Sequence, residues 1–362
     1  MRAAVALGGD LVVDTVADPV PGKGQVLVAS RANGICGSDL HALDAMKAAA
    51  QGQGESMVAA MMAGEAGAPP LILGHEFCAE IVDFGPGVSV ATKKRWPAGQ
   101  LVCSNPFLGQ GELVGYSRSR PGGLAELMVL DVGRLLAVPE GVPAQLAALT
   151  EPLAVGIRAA AAASRLTNRG PYVVIGCGPI GLAVTAALAH EGRGPIVASD
   201  LSPSRREIAA KLGADIVIDP ASESPFDKLD GLGFSEAPTS PLLRSRARNQ
   251  LGPVVFECVG VPGLIQGLLE SMPRHSHLVV AGVCGQPDRI VPGLANSKEL
   301  SIEFVLAYRP AEFAESLRRI AQGRVGVGSM ITATVGLAES QWAVDALRNA
   351  EQAKILVEPN RE

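Results

Sequence analysis

The sequence predicts an α/β protein of two domains: a β-rich domain interrupted by a doubly wound parallel-sheet domain. Three observations carry that prediction. Residues 151–300 alternate short apolar strands with helical stretches, the pattern of a parallel sheet wrapped by helices. A glycine-rich turn, Gly176-Cys177-Gly178-Pro179-Ile180-Gly181, sits where one such strand meets a helix. Before residue 151, short apolar runs are separated by turn signals, as in an all-β region. A chain of 362 residues with 48% hydrophobic content and 42 glycines has material for two cores.

Taken in order, residues 12–16, 25–30 and 77–82 read as strands. They are punctuated by Pro21-Gly22-Lys23-Gly24 and Gly85-Pro86-Gly87. Residues 123–130 and 135–138 read the same way. The α/β segment follows, with strands at 172–175, 196–199, 216–218, 254–256 and 278–281 and a helix at 182–189. The tail returns to mixed character, with helices at 311–322 and 341–349 and a strand at 354–357. The expected division is therefore 1–150 with 301–362 for a discontinuous first domain, and 151–300 for the second. Residues 44–70 and 222–249 read as insertions or loops.

Composition excludes several classes. The net charge is −5 with acids and bases interspersed, so no basic stripe awaits nucleic acid. No apolar run is long enough to span a bilayer, and the N-terminus lacks a signal-peptide pattern, so a cytoplasmic protein is expected. Six cysteines contain no CxxC pair and read as small buried hydrophobes, Cys36 excepted.

The glycine turn predicts a dinucleotide site. Gly176 permits the tight turn, Gly178 lets backbone approach a pyrophosphate, and Gly181 lets helix pack on strand. Pro179 and Ile180 open a helix whose free N–H groups face the phosphates. Asp200, roughly 20 residues on at the end of the next strand, is placed to bond both ribose hydroxyls. Its charge repels a 2′-phosphate and favours NAD over NADP. Arg205 and Arg206 follow closely; they read as solvated helix surface, with Arg205 kept as a candidate cofactor contact.

A metal site needs a few N, S or O donors and an open position. Gly34-Ile35-Cys36-Gly37-Ser38-Asp39-Leu40-His41 holds a thiol, a hydroxyl, a carboxylate and an imidazole within two helical turns. Leu73-Gly74-His75-Glu76 adds an imidazole and a carboxylate, and Thr150-Glu151-Pro152 another carboxylate.

This run of motifs, closing on Ala353-Lys354-Ile355-Leu356-Val357, resembles the zinc-containing medium-chain alcohol dehydrogenases over almost the whole chain. The polyol and secondary-alcohol branch is the nearest likeness. The resemblance implies a GroES-like catalytic domain and a Rossmann domain. It implies Cys36 and His75 as zinc ligands, Glu151 at the third ligand's place, and Glu76 as a direct or outer ligand. It makes Ser38 and His41 the route for the substrate's proton, and Asp39 an orienting group. The implied reaction passes a hydride between an alcohol and NAD, with zinc lowering the hydroxyl pKa. A homodimer or homotetramer is also implied. Two other readings remain: a zinc-free quinone or enoyl reductase on the same fold, and a non-catalytic NAD(H)-sensing protein.

The chain departs from the family twice. Residues 103–121 hold one cysteine, so a four-cysteine structural zinc has no ligands there and one zinc per chain is expected. That loop is expected to be held by packing alone. The connection from His41 to His75 is long and carries Met57, Met61 and Met62. It is read either as a cover suited to a bulky apolar alcohol or as a surface helix.

Overall fold

A computed structural model describes residues 1–52, 68–109, 112–163, 171–232, 252–350 and 352–361. The chain divides into two compact units, Met1–Glu151 with Ile331–Glu362, and Pro152–Met330. Strands are numbered along the chain.

The first unit contains β1 (Arg2–Leu7), β2 (Asp10–Thr15), β3 (Gln25–Gly34), β4 (Glu76–Phe84), β5 (Leu101–Ser104), β6 (Phe107–Gly109), β7 (Glu112–Leu113), β8 (Leu127–Asp131) and β9 (Leu135–Ala137). It is completed by β16 (Ile331–Val335) and β17 (Lys354–Val357). Its main sheet runs β16-β17-β3-β4-β5-β9, with β8 also paired to β3. The ten-residue β3 is the spine, and its inward side chains feed one core. Val26 and Val28 pack there with Phe77, Ile81, Val102, Met128 and Leu130. A second core gathers Ala3, Ile35, Leu43, Leu71, Leu73 and Ile355.

Two features of this unit set the functional residues. Helix Gly37–Ala50 follows β3 directly, with Asp39 in its first turn and Lys47 in its last, matching the helix dipole at both ends. Its alanines favour helix strongly. Residues 44–50 are therefore helical, where a loop was expected. The three methionines at 57, 61 and 62 lie outside the described residues. Antiparallel pairing of β3 with β4 then places Gly34 opposite Glu76.

The second unit holds β10 (Tyr172–Ile175), β11 (Ile196–Ser199), β12 (Ile216–Ile218), β13 (Val254–Glu257), β14 (His277–Val280) and β15 (Ser301–Phe304). They form one sheet in the order β12-β11-β10-β13-β14-β15, every neighbouring pair parallel. This is the Rossmann order, in which the chain steps outward on both sides of its first strand and opens a crevice at the strands' carboxyl ends. The core is Val173, Val197, Val255, Leu269 and Leu278 with their neighbours. The sequence returned the chain to the first domain at residue 301. In the structure residues 301–330 stay in the second unit, because β15 pairs with β14.

Candidate active site

The end of β3, the first turn of helix Gly37–Ala50 and the start of β4 converge in the first unit. One ligand-capable atom each from Cys36, His75 and Glu76 lies within 4.8 Å of the others. They form the only such group of three or more among the described residues. His75 and Glu76 are buried and Cys36 is partly so. Gly34 makes the approach possible: a Cβ there would run into the Glu76 carboxylate.

Asp39 braces two of these residues. Its carboxylate is buried; Oδ2 accepts the backbone N–H of Cys36 at 2.9 Å, and Oδ1 accepts the Tyr116 hydroxyl at 3.2 Å. Oδ1 also faces His75 Nδ1 at 3.4 Å. Burial works against a charged His75 imidazole, but Asp39 and Cys36 outweigh it and hold its pKa well above the ordinary value. Surroundings that attract a proton so strongly also favour a metal cation in its place. A soft thiol, an imidazole and a carboxylate together suit zinc, and with Nδ1 turned to Asp39 the other ring nitrogen, Nε2, is the one left for a metal.

Glu151 is not one of the three residues of this group. It is buried, and its charge is felt at Lys354. The geometry thus gathers Glu76 with Cys36 and His75, whereas the sequence put Glu151 in the third place. Ser38 and His41 are exposed on helix Gly37–Ala50, three residues apart and so on one face. Two residues at this centre were not singled out from sequence. Tyr116 stacks obliquely on His75, ring centroids 5.3 Å apart, and Lys354 donates to both oxygens of Glu76. Tyr116 lies in an irregular loop without a motif. Lys354 is a lysine inside an otherwise apolar strand, which is itself a signal that a buried anion is near.

The loop between β5 and β8 is not held by packing alone. Arg134 donates to the carbonyls of Phe107 and Leu108, Arg118 to that of Pro69, and Arg120 pairs with Glu112 and Asp131. Cys103, on β5 just before this loop, is buried and donates to the Ala147 carbonyl at 3.2 Å.

In the second unit, the glycine turn leaves β10 with Gly176 at a φ of 90°, and helix Pro179–His190 begins beyond Gly178 with no side-chain cap. Its first N–H groups are left for a ligand's phosphates. A Cβ on Gly181 would collide with the Gly176 carbonyl, while one on Gly178 would meet open space. Pro179 and Ile180 form the first turn of that helix. Asp200 follows β11. Its oxygens accept the N–H groups of Cys177 at 2.7 Å and Ser202 at 2.8 Å, so it also fixes the turn. Carboxylate oxygens carry further lone pairs for ribose hydroxyls.

The two arginines are not a solvated surface. Arg206 donates to the carbonyls of Asp200 and Leu201 and pairs with Asp219 at 3.3 Å. Arg205 is half-buried; burial lowers its pKa, against the opposing pull of Asp200 and Cys177.

Comparison with known proteins agrees with both halves. Residues 22–140 match the alcohol dehydrogenase GroES-like domain, and residues 179–322 match the zinc-binding dehydrogenase domain. The chain therefore belongs to the zinc-containing medium-chain alcohol dehydrogenases. It is an alcohol oxidoreductase that uses zinc and a nicotinamide dinucleotide. A zinc-free reductase and a non-catalytic sensor thereby give way to this class.

Among its relatives, sorbitol dehydrogenase of Halalkalibacterium halodurans is 28% identical, over 97% of this chain and 96% of that protein. L-threonine 3-dehydrogenase of Rhizobium rhizogenes is 23% identical, over 94% and 93%. The crystal structure of 2R,3R-butanediol dehydrogenase from Bacillus subtilis superposes with a TM-score of 0.77 at 27% identity, covering 99% of both chains. No helix among the described residues is long and apolar enough to cross a membrane.

Proposed function

We propose that the protein oxidises a secondary alcohol with NAD, or reduces the matching ketone, at a single zinc centre built by Cys36, His75 and Glu76. The observation that carries this is the three-residue donor group, braced by Asp39, in the first unit. Zinc bound there supplies Lewis-acid chemistry, lowering the pKa of a substrate hydroxyl, while the nicotinamide supplies a hydride acceptor.

The chain's own residues do the rest. Asp39 fixes the Cys36 backbone and faces His75, setting the orientation of two ligands. Ser38 takes the hydroxyl proton and His41 passes it to water, both being exposed on one helix face. Glu151 is an outer ligand rather than a resting one, in keeping with its place outside the donor group. In the second unit, Gly176, Gly178, Pro179, Ile180 and Gly181 seat the pyrophosphate, and Asp200 holds the ribose. Arg205 lines the same end of the site.

The matched relatives act on substrates with a polar group beside a secondary alcohol: sorbitol, butanediol and threonine. A vicinally substituted secondary alcohol is therefore the substrate class proposed. The bulky apolar alcohol that the sequence offered as one reading rests on Met57, Met61 and Met62, which lie outside the described residues. A homodimer is proposed as well. Among the described residues β15 is the free edge of its sheet, and Phe304 and Leu306 at its end are 71% and 79% exposed, an apolar edge that a second copy would cover.

The test is a panel of vicinal diols, polyols, β-hydroxy amino acids and apolar secondary alcohols, read by NADH absorbance with the zinc-loaded protein and with Cys36→Ala. Turnover of diols or polyols by the former alone supports the proposal. Turnover by both, or of none of the panel, overturns it.

A further inference from the structure

Lys354 is the only fully buried lysine among the described residues. Its Nζ donates to Glu76 Oε1 at 2.8 Å, to Glu76 Oε2 at 2.6 Å and to the Ile35 carbonyl at 2.9 Å. An ammonium has three donors, so these partners use them all. Ile35 precedes Cys36 and Glu76 follows His75, so one cation grips both segments that carry the donor group. The lysine comes from β17, whose Leu356 pairs with Gly34 at the end of β3.

A buried ammonium is costly unless it is paired, and here Glu76 is the pair. Yet the Glu76 carboxylate also belongs to the group whose ligand atoms lie within 4.8 Å of one another. A single carboxylate thus serves a resident cation and lies within reach of an incoming one.

We propose that Lys354 is a positioning residue of the metal centre, holding Glu76 at the rim of the donor group and competing with the metal for its oxygens. This rests on reading Cys36, His75 and Glu76 as the metal site. With Lys354 in place, Glu76 is already neutralised, and a second cation nearby meets repulsion in surroundings of low dielectric. Without Lys354, Glu76 is a buried anion with no other ion-pair partner among the described residues, and the metal becomes its counter-charge. The lysine therefore weakens the hold of Glu76 on zinc and keeps a coordination position free for substrate, which catalysis needs.

The experiment measures the rate at which zinc leaves the holoenzyme into excess chromogenic chelator. The proteins are wild type, Lys354→Met, Lys354→Gln, Glu76→Gln and the double variant Lys354→Met/Glu76→Gln. Lys354→Met and Lys354→Gln should release zinc at least about tenfold more slowly than wild type, an ordinary coupling for groups in contact. In the Glu76→Gln background, adding Lys354→Met should change the rate by less than about twofold, because the shared carboxylate is gone. Wild type that holds no zinc overturns the site reading, and this inference with it. Wild type that holds zinc, beside lysine variants that release it as fast or faster, overturns the inference alone. So does slowing that persists without Glu76. Lys354→Gln keeps hydrogen-bond donors and serves if the methionine variant does not fold. If neither folds, Lys354 belongs to the fold alone and the inference is withdrawn.

Discussion

Asp39→Asn probes the brace behind the metal centre with almost no change of shape. The carboxylate accepts the Cys36 N–H at 2.9 Å and the Tyr116 hydroxyl at 3.2 Å, and faces His75 Nδ1 at 3.4 Å. An amide keeps one acceptor and turns the other into a donor. With its oxygen toward the Cys36 N–H, the amide turns its NH2 toward the Tyr116 hydroxyl, which must then accept rather than donate, so the charge-assisted bonds of the carboxylate become weaker neutral ones. The negative charge beside His75 is lost as well. Loss of an outer-shell partner of this kind costs about 10–100-fold in metal affinity, or about 1.4–2.8 kcal/mol. Zinc affinity is read by competition with a chelator of known strength, and unfolding of the stripped protein is followed in parallel. Tyr116→Phe removes one contact and leaves the charge, so it should cost less than about tenfold. If Asp39→Asn binds zinc as tightly as wild type, the bracing role is wrong.

The remaining predictions concern the second unit. Asp200→Asn keeps one of the two acceptors that hold the turn and removes the charge, so the preference for NAD over NADP should shrink by about 1–3 kcal/mol, measured as kcat/KM with each nucleotide. Faster turnover with NADP by the wild type at equal concentration would show Asp200 misassigned. The double substitution Phe304→Lys/Leu306→Lys places charge on the free edge of β15, and molar mass in solution should fall from two chains to one. A wild-type protein that is already monomeric contradicts the proposed assembly.

Much of this architecture was legible in the sequence, for identifiable reasons. β10, β11 and β12 coincide with the apolar runs at 172–175, 196–199 and 216–218, because strands of a covered parallel sheet read as unbroken hydrophobic stretches. The glycine turn was legible because its spacing, preceding strand and following helix all agreed. β15 was not, since its ends Ser301 and Phe304 are exposed and it borders the sheet. β1 was passed over because its run of alanines carries little strand signal; Ala3, Ala4 and Ala6 are buried by packing into the second core.

At the site, motifs nominated Cys36, Asp39, His75 and Glu76 correctly as neighbours, because two short segments carry them. Lys354 escaped because its partner Glu76 is 278 residues away, a distance no local pattern spans. Glu151 was nominated by resemblance, at the place of the third ligand, and it lies outside the group formed by Cys36, His75 and Glu76.

The central claim is that Cys36, His75 and Glu76 hold the one zinc on which alcohol oxidation depends, in a unit apart from the nucleotide turn. The direct measurement is zinc content, turnover and NADH binding of Cys36→Ala beside wild type. Wild type should hold close to one zinc per chain. The variant should lose zinc and turnover together while binding NADH within about twofold of wild type, because Gly176 and Asp200 belong to the other unit. Two tightly held zincs in the wild type, or full turnover after rigorous metal removal, would contradict the account.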